Sequence, residues 1–199
     1  PFKTRQGGVM RLETLLNDIT EEMYKKIVDN RSIKEADAHK TAQMVALAAI
    51  KYGDLSNQAA KDYIFDTERF TSFEGDTGPY ILYTIVRIKS ILNRYTENGG
   101  DTAAGKILAP AGESEKALML ALTDFNATVE NAFAEKAPHK ICSYIYDLAN
   151  AFNSFYHETK IMSEEDETVQ KSYIRLLELT KSVLETSIDL LGFSAPERM

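Results

Sequence analysis

Apolar residues recur at three- and four-residue steps along most of the chain, with charged residues in the gaps, and that spacing predicts helices in preference to strands. Leu12, Leu15, Leu16, Ile19, Met23 and Ile27 form the first such stripe, an amphipathic helix over about 11–29. Ser32 with Glu35 makes a capping box for a second helix that runs through Thr41–Ile50 and stops near Gly53. Residues 61–78 break the pattern. Asp62-Tyr63-Ile64-Phe65-Asp66 and Phe70-Thr71-Ser72-Phe73 are short, aromatic or β-branched, and Gly75 and Gly78 follow, which predicts an extended connector. Pro79 stands where a first helical position tolerates a missing N–H, with Asp76 or Thr77 as cap, so a helix is expected from 79 to about 96.

Residues 98–112 carry four Gly and one Pro and are expected to form a mobile loop. Three longer helices are expected beyond it, at about 113–135, 138–160 and 165–191. Pro138 starts the second, Ser163 precedes the third, and Gly192 fits the position just past a helix end, with Pro196 blocking continuation. Ile141, Ile145, Leu148, Phe152 and Phe155 make one apolar stripe; Val169, Tyr173, Leu176, Val183 and Leu190 make another. Packing those stripes together gives an all-α fold, a helical bundle, preceded by a short irregular segment at residues 1–10 where Gly7-Gly8 predicts a turn. No internal repeat or heptad run is evident.

Composition agrees with a soluble globular chain: 199 residues, 44% hydrophobic, 27% charged, with 10 Gly and 5 Pro. A single cysteine, Cys142, excludes an internal disulfide, and His39, His139 and His157 are too scattered for zinc-type spacing, so no metal site is expected. A reducing, cytoplasmic setting is the expectation. The longest apolar run, Met44 to Ile50, falls far short of the roughly 18 residues that span a bilayer, so no membrane partner is expected. The formal charge of −7 argues against holding nucleic acid by bulk electrostatics, which needs clustered Lys and Arg; any RNA contact must be local. Pro1-Phe2-Lys3 lacks an initiator Met and reads as the middle of a loop, which predicts a fragment of a longer protein.

The 79–96 segment carries two stripes. Ile81, Ile85, Ile88, Leu92 and Tyr95 share one face when each residue turns the helix by about 100°. Tyr80, Tyr83, Arg87, Ser90 and Arg94 share another, roughly 150° away. Flat rings and guanidinium planes stack on unpaired bases, and the cations also reach phosphates. The same pattern also suits tyrosines packed on a neighbouring helix with solvated arginines beside them, and spacing alone does not choose.

Other candidates are weaker. Lys3-Thr4-Arg5-Gln6-Gly7-Gly8 is a basic turn able to bring N–H groups near a phosphate, though not the spelling of a phosphate-binding loop. Glu74 and Asp76 flank Gly75 and suit helix capping better than acid–base work. Cys142, amid Ile141 and Ile145, reads as a small buried residue. The acidic run Glu164-Glu165-Asp166-Glu167 opens a helix, where negative charge meets the positive end of the dipole.

The stretch from Phe73-Glu74-Gly75-Asp76-Thr77-Gly78-Pro79-Tyr80 through Tyr83, Arg87 and Ile91 resembles the junction segment of the arginyl-tRNA synthetases, class I enzymes. Upstream, Phe2-Lys3-Thr4-Arg5-Gln6-Gly7-Gly8 with Arg11-Leu12 is similar to that family's signature-loop region, and Lys51-Tyr52-Gly53-Asp54-Leu55-Ser56-Asn57 and Asp62-Tyr63-Ile64-Phe65-Asp66 are close to family patterns. Downstream, His139-Lys140-Ile141-Cys142, Ala149-Asn150-Ala151-Phe152-Asn153 and Phe155-Tyr156-His157-Glu158 resemble a helix of the family's DALR-type anticodon-binding bundle, and Pro196-Glu197-Arg198-Met199 its terminus. The likeness is collinear and covers essentially the whole chain, with the 98–112 loop and the 113–135 helix matching loosely.

The resemblance implies a division at residue 78: residues 1–78 as the tail of a catalytic domain with stem-contacting helices, and 79–199 as an anticodon-binding bundle. It implies that Tyr80, Tyr83, Arg87 and Met199 contact arginine tRNA, to which Arg94 is added by its place on the same stripe, and that Lys3, Thr4 and Arg5 are what remains of the loop that closes over ATP phosphates. The family signature has a second lysine where this loop has Arg5-Gln6-Gly7, so the choice between Lys3 and Arg5 stays open. The full enzyme would join arginine to its tRNA with ATP and Mg²⁺. The chain alone would be inactive and bind no cofactor, act as a monomer, and bind tRNA and no DNA. The competing expectation is a free-standing helical module that binds a protein through the Tyr80/Tyr83/Arg87 face.

Overall fold

The computed structural model describes residues 11–29, 35–64 and 66–199. Lys3, Thr4 and Arg5, the turn at Gly7-Gly8 and the Ser32 cap therefore lie outside the described residues. Among those described, the chain forms eight α-helices and no strand: α1 (Leu12–Asp29), α2 (Glu35–Leu55), α3 (Thr67–Phe70), α4 (Gly78–Glu97), α5 (Glu113–Thr123), α6 (Phe125–Glu135), α7 (His139–Glu158) and α8 (Glu167–Leu190). One 3-10 turn, Ile161–Ser163, joins α7 to α8. None of these helices is long and apolar enough to cross a membrane.

The expected all-α bundle is observed, built on the aliphatic stripes. α4 buries Ile81, Leu82, Ile85, Ile88 and Leu92, and α7 buries Ile145, Leu148, Phe152 and Phe155. α1 pairs with α2, α2 lies on α4, and α4 also packs on α7 and α8, while α5 and α6 cover the other side of α7. Small residues set the α2–α4 approach. Ala38, Ala42, Ala46, Ala48 and Ala49 are fully buried, and an added Cβ on Gly78 would sit 2.3 Å from the Ala48 carbonyl oxygen. Tyr52, also fully buried, reaches from α2 to the Asp76 carboxylate and to the Cys142 carbonyl of α7.

The structure corrects four expectations. The 61–78 connector holds a helical turn, α3, because the Asp66 carboxylate caps it by accepting from the Arg69 N–H at 3.2 Å, and Phe70 is buried against Gly53. The 113–135 helix is two. Thr123 donates its hydroxyl to the Leu120 carbonyl at 2.6 Å and the Asp124 N–H reaches back to Ala121, a tightening that ends α5 before α6 begins. α8 starts later than foreseen, on an Asp166 cap that accepts from Thr168 and Val169 N–H groups. The 98–112 loop is fastened to α8, with the Leu108 N–H on Ser172 Oγ at 2.9 Å and Arg175 Nη1 on the Thr102 carbonyl at 3.3 Å. Two stripe positions also miss the core: Leu12 is 63% and Leu190 54% exposed.

Cys142 is buried, as its neighbours implied, and burial with the nearby Asp76 charge pushes its thiol up to about 12. Since the thiolate is the reactive form, iodoacetamide near neutral pH is expected to leave Cys142 unmodified in the native chain and alkylate it after denaturation. Rapid native labelling would contradict that burial.

Candidate nucleic-acid interface

Thr77 opens α4 by accepting the Tyr80 N–H at 3.2 Å while its hydroxyl donates to the Ser72 carbonyl at 2.6 Å. Either Asp76 or Thr77 suited that role from sequence; Asp76 instead accepts from Tyr52. The cap fixes the helical phase, and with it the outward face.

The four tyrosines and arginines singled out on that face do different things. Tyr80 is half-buried, and its hydroxyl is used twice, donating to Asn150 Oδ1 at 2.7 Å and accepting from Asn153 Nδ2 at 2.8 Å. Its ring tilts against Tyr146 with centroids 5.8 Å apart, so Tyr80 mainly joins α4 to α7. Tyr83 is 42% exposed. The Arg87 guanidinium carbon lies 4.8 Å from the Tyr83 ring centroid and 5.1 Å from that of Tyr156, and its Nη1 donates to Asn153 Oδ1 at 2.6 Å. Two ring faces and one hydrogen bond thus hold a planar cation in place. Arg94 and Ser90 are exposed further along the same face.

Met199 arrives from the other end of the chain. Gly192, at φ +81°, turns the backbone past α8, and the Phe193 N–H closes the turn on the Ile188 carbonyl at 3.1 Å. Phe193 and Pro196 are buried. Lys89 then fastens the tail to α4, its Nζ lying 2.7 Å from Glu197 and 3.0 Å from Glu185. Burial pulls the Lys89 ammonium towards deprotonation, but the two carboxylates outweigh it and leave it held above the usual lysine range.

Two open grooves flank the result. The first, about 540 Å³, runs between α4, the end of α7 and the 161–163 turn, and includes Tyr83, Arg87, Arg94, Tyr156, Lys160 and Met199. The second, about 520 Å³, lies towards α1 and includes Lys26, Phe73, Glu74, Tyr80, Asn153 and His157. Tyr83, Arg87 and Met199 line both and form the ridge between them. The arrangement offers planes, one fixed cation and hydroxyls, which suits binding flat rings and anions.

Asn153 and Tyr156 were not anticipated as site residues. The signal for Asn153 lay in α7, where Tyr146, Asn150, Asn153 and His157 recur at helical spacing beside the apolar stripe, the same double-stripe pattern that marked α4; Tyr156 is not on that row. Of the other candidates, Glu74 and His157 line the second groove, while Asp76 and Cys142 bond Tyr52 away from it. His39 packs its ring near Tyr24, with centroids 5.8 Å apart, and among the described residues no group of three His, Cys, Asp or Glu side chains is placed to hold a metal.

Residues 81–199 match the family described as DALR anticodon binding domain, and residues 1–67 match that described as tRNA synthetases class I (R), catalytic domain. An arginine-tRNA ligase of Agathobacter rectalis is 65% identical over 207 residues, covering 100% of this chain and 35% of that protein. One from Alkaliphilus oremlandii is 54% identical over 199 residues, covering 100% and 34%. Among solved structures, the Thermus thermophilus arginyl-tRNA synthetase matches with a TM-score of 0.88 at 31% identity, over 98% of this chain and 33% of that one. The Plasmodium falciparum enzyme matches with a TM-score of 0.82 at 26% identity, over 96% and 34%. The chain spans about a third of the length of the curated relatives it matches. Through residues 81–199, most of its length, the chain belongs to the DALR anticodon binding domain family.

Proposed function

We propose that this chain is the part of an arginine-tRNA ligase that grips the anticodon arm of arginine tRNA. The observation that carries the reading is the Arg87 guanidinium held near the faces of both Tyr83 and Tyr156 on a ridge between two open grooves. A cation already held by two rings loses little further freedom when it meets a phosphate, and the exposed part of the Tyr83 ring is left for a base, so little binding energy is spent on ordering. Met199, which lines both grooves, supplies an apolar contact for the same base.

In this reading Tyr83, Arg87, Arg94 and Met199 touch RNA directly, and Tyr80 touches it by its ring edge while orienting Asn153. Residues 79–199 form the anticodon-binding unit and 1–78 the end of the catalytic unit, with Lys3, Thr4 and Arg5 facing the phosphates of ATP as substrate. Joining arginine to tRNA, with Mg²⁺ assisting, belongs to the whole protein in the cytoplasm. The chain acts as a monomer, with tRNA and not DNA as its nucleic-acid partner.

Titrating the 199-residue chain with arginine tRNA tests this. Binding is expected to weaken as salt rises, because phosphate contacts release counterions. Tyr83→Ala is expected to weaken affinity by about 5- to 150-fold, the order of 1–3 kcal/mol for a stacked base. Its circular dichroism should stay unchanged because Tyr83 is 42% exposed. No measurable tRNA binding by the parent chain would remove the proposal.

A further inference from the structure

The last turn of α8, Ser187 to Leu190, has no basic residue of its own. Asp189 adds a negative charge there, at the end of the helix where the dipole favours a cation. The cation comes from another helix. Lys51, on α2, donates from Nζ to the Gly192 carbonyl at 2.7 Å. An added Cβ on Gly192 would stand 2.4 Å from that Nζ, so the ammonium occupies the space a side chain would fill.

The bond joins two helices that pack mainly on others, α2 on α1 and α4, and α8 on α4 and α7. It also joins the two family-matched stretches of the chain, since Lys51 lies within residues 1–67 and Gly192 within 81–199. Its place on the backbone gives it reach. Gly192 is the elbow through which residues 193–199 leave α8, and Met199 at their end lines both grooves. Phe193 and Pro196, both buried, keep the segment on the bundle, and Lys89 holds it at Glu197. The Lys51 bond fixes the angle at which the segment sets out. Lys51 is in the lining of neither groove, so its effect on the site must pass through the backbone of residues 192–199.

We infer that Lys51 is a positioning residue: it pins the elbow at Gly192 and thereby sets where Met199 stands, so that a side chain in the catalytic-family stretch tunes the RNA grip of the anticodon-family stretch. The inference rests on the RNA-binding reading above and adds to it a residue that touches no RNA. A bond from a charged donor is among the stronger hydrogen bonds, and a small rotation at an elbow grows with distance along the segment it carries.

The test compares K51Q, K51R, M199A and the double variant K51Q/M199A in the 199-residue chain. The control is K181Q, which breaks a pair with Glu178 on α8. In the free chain, K51Q is expected to speed amide exchange in residues 192–199 and leave α7 at the parental rate, while K181Q changes neither. Against arginine tRNA, K51Q is expected to lower affinity about 2- to 30-fold, the span by which residues touching neither partner tune a site. K51R keeps a cation and should stay within about twofold of the parent. K51Q/M199A should bind no worse than M199A, because Lys51 acts through Met199. If the parent binds tRNA, additive losses in the double variant, or K51R as weak as K51Q, would overturn the positioning role and leave the RNA-binding reading standing. Parental exchange of residues 192–199 in K51Q would overturn it whatever the affinities. If the parent does not bind tRNA, the RNA-binding reading falls and this inference with it, even where exchange shows the elbow held.

Discussion

Replacing Gly78 by alanine is expected to destabilise the chain by about 2–3 kcal/mol, the usual scale for forcing an extra carbon into a packed contact. In a chain of this size that corresponds to a fall in Tm of roughly 5–10 °C. Helix propensity pulls the other way, since alanine is favoured over glycine inside a helix by up to about 1 kcal/mol. Geometry decides the sign. The new Cβ would lie 2.3 Å from the Ala48 oxygen and 2.6 Å from its carbonyl carbon, both backbone atoms of α2 that no rotamer change can move. Relief requires α4 to back away from α2, loosening Ile81, Leu82 and Ile85, which are all fully buried. Gly75→Ala is the matched control: Gly75 has φ +80° and nothing within 4 Å of the added carbon, so its penalty is conformational alone, about 1 kcal/mol. Equal Tm values for Gly78→Ala and the parent would show that the α2–α4 contact yields.

The helices that hold the site could be read from the sequence because their buried sides are continuous. Ile81, Ile85, Ile88, Leu92 and Tyr95 repeat at helical spacing without a polar interruption, and all five are buried. The opposite face was equally visible as a row, but its division of labour was not. Whether Tyr80 shows its ring or spends its hydroxyl depends on Asn150 and Asn153 lying on α7, about 70 residues away in sequence, and periodicity within one helix contains no distance to another. Arg87 illustrates the same limit. Its side was predictable, whereas its clamping by Tyr156 required the α4–α7 approach. Lys160 follows α7 in an irregular turn, where no period applies.

The misses have local causes of the same kind. At Asp124 the chain keeps nearly helical backbone angles, φ −81° and ψ −7°, so only the competing hydroxyl of Thr123 marks the break. The loop at 98–112 has a composition that reads as mobile, yet Ser172 and Arg175 on α8 supply the partners its backbone lacks. Gly105, at φ +86°, permits the close approach to Lys171. Composition measures what a segment can do alone; the bonds that fix it come from elsewhere in the fold.

Tyr52→Ala is expected to lower stability by about 3–5 kcal/mol, the range for deleting a buried aromatic ring, whereas Tyr52→Phe should cost only about 1 kcal/mol. The ring is fully buried where α2 meets α7, in the stretch matching the catalytic domain family, while Cys142 belongs to the stretch matching the anticodon domain family. Its hydroxyl has one proton for two acceptors, the Asp76 carboxylate and the Cys142 carbonyl, and the carboxylate is the stronger acceptor. Burial and then Asp76 hold this phenol well above the ordinary tyrosine range, so it stays protonated at any working pH. Removing the hydroxyl alone strands little, because Asp76 is exposed enough to take water and the carbonyl sits within α7. Removing the ring empties the joint. The loss should reach the two grooves unequally: the α1 side, with Lys26 and Ile27, depends on α2 for its position, whereas Arg94 and Lys160 stand on α4 and beyond α7. Below its lowered Tm, Tyr52→Ala should therefore keep the salt slope of tRNA binding while exchanging amide protons of α1 and α2 faster than the parent. Uniform exchange across all the helices would instead mean that Tyr52 holds the whole bundle together, and that the joint is not local.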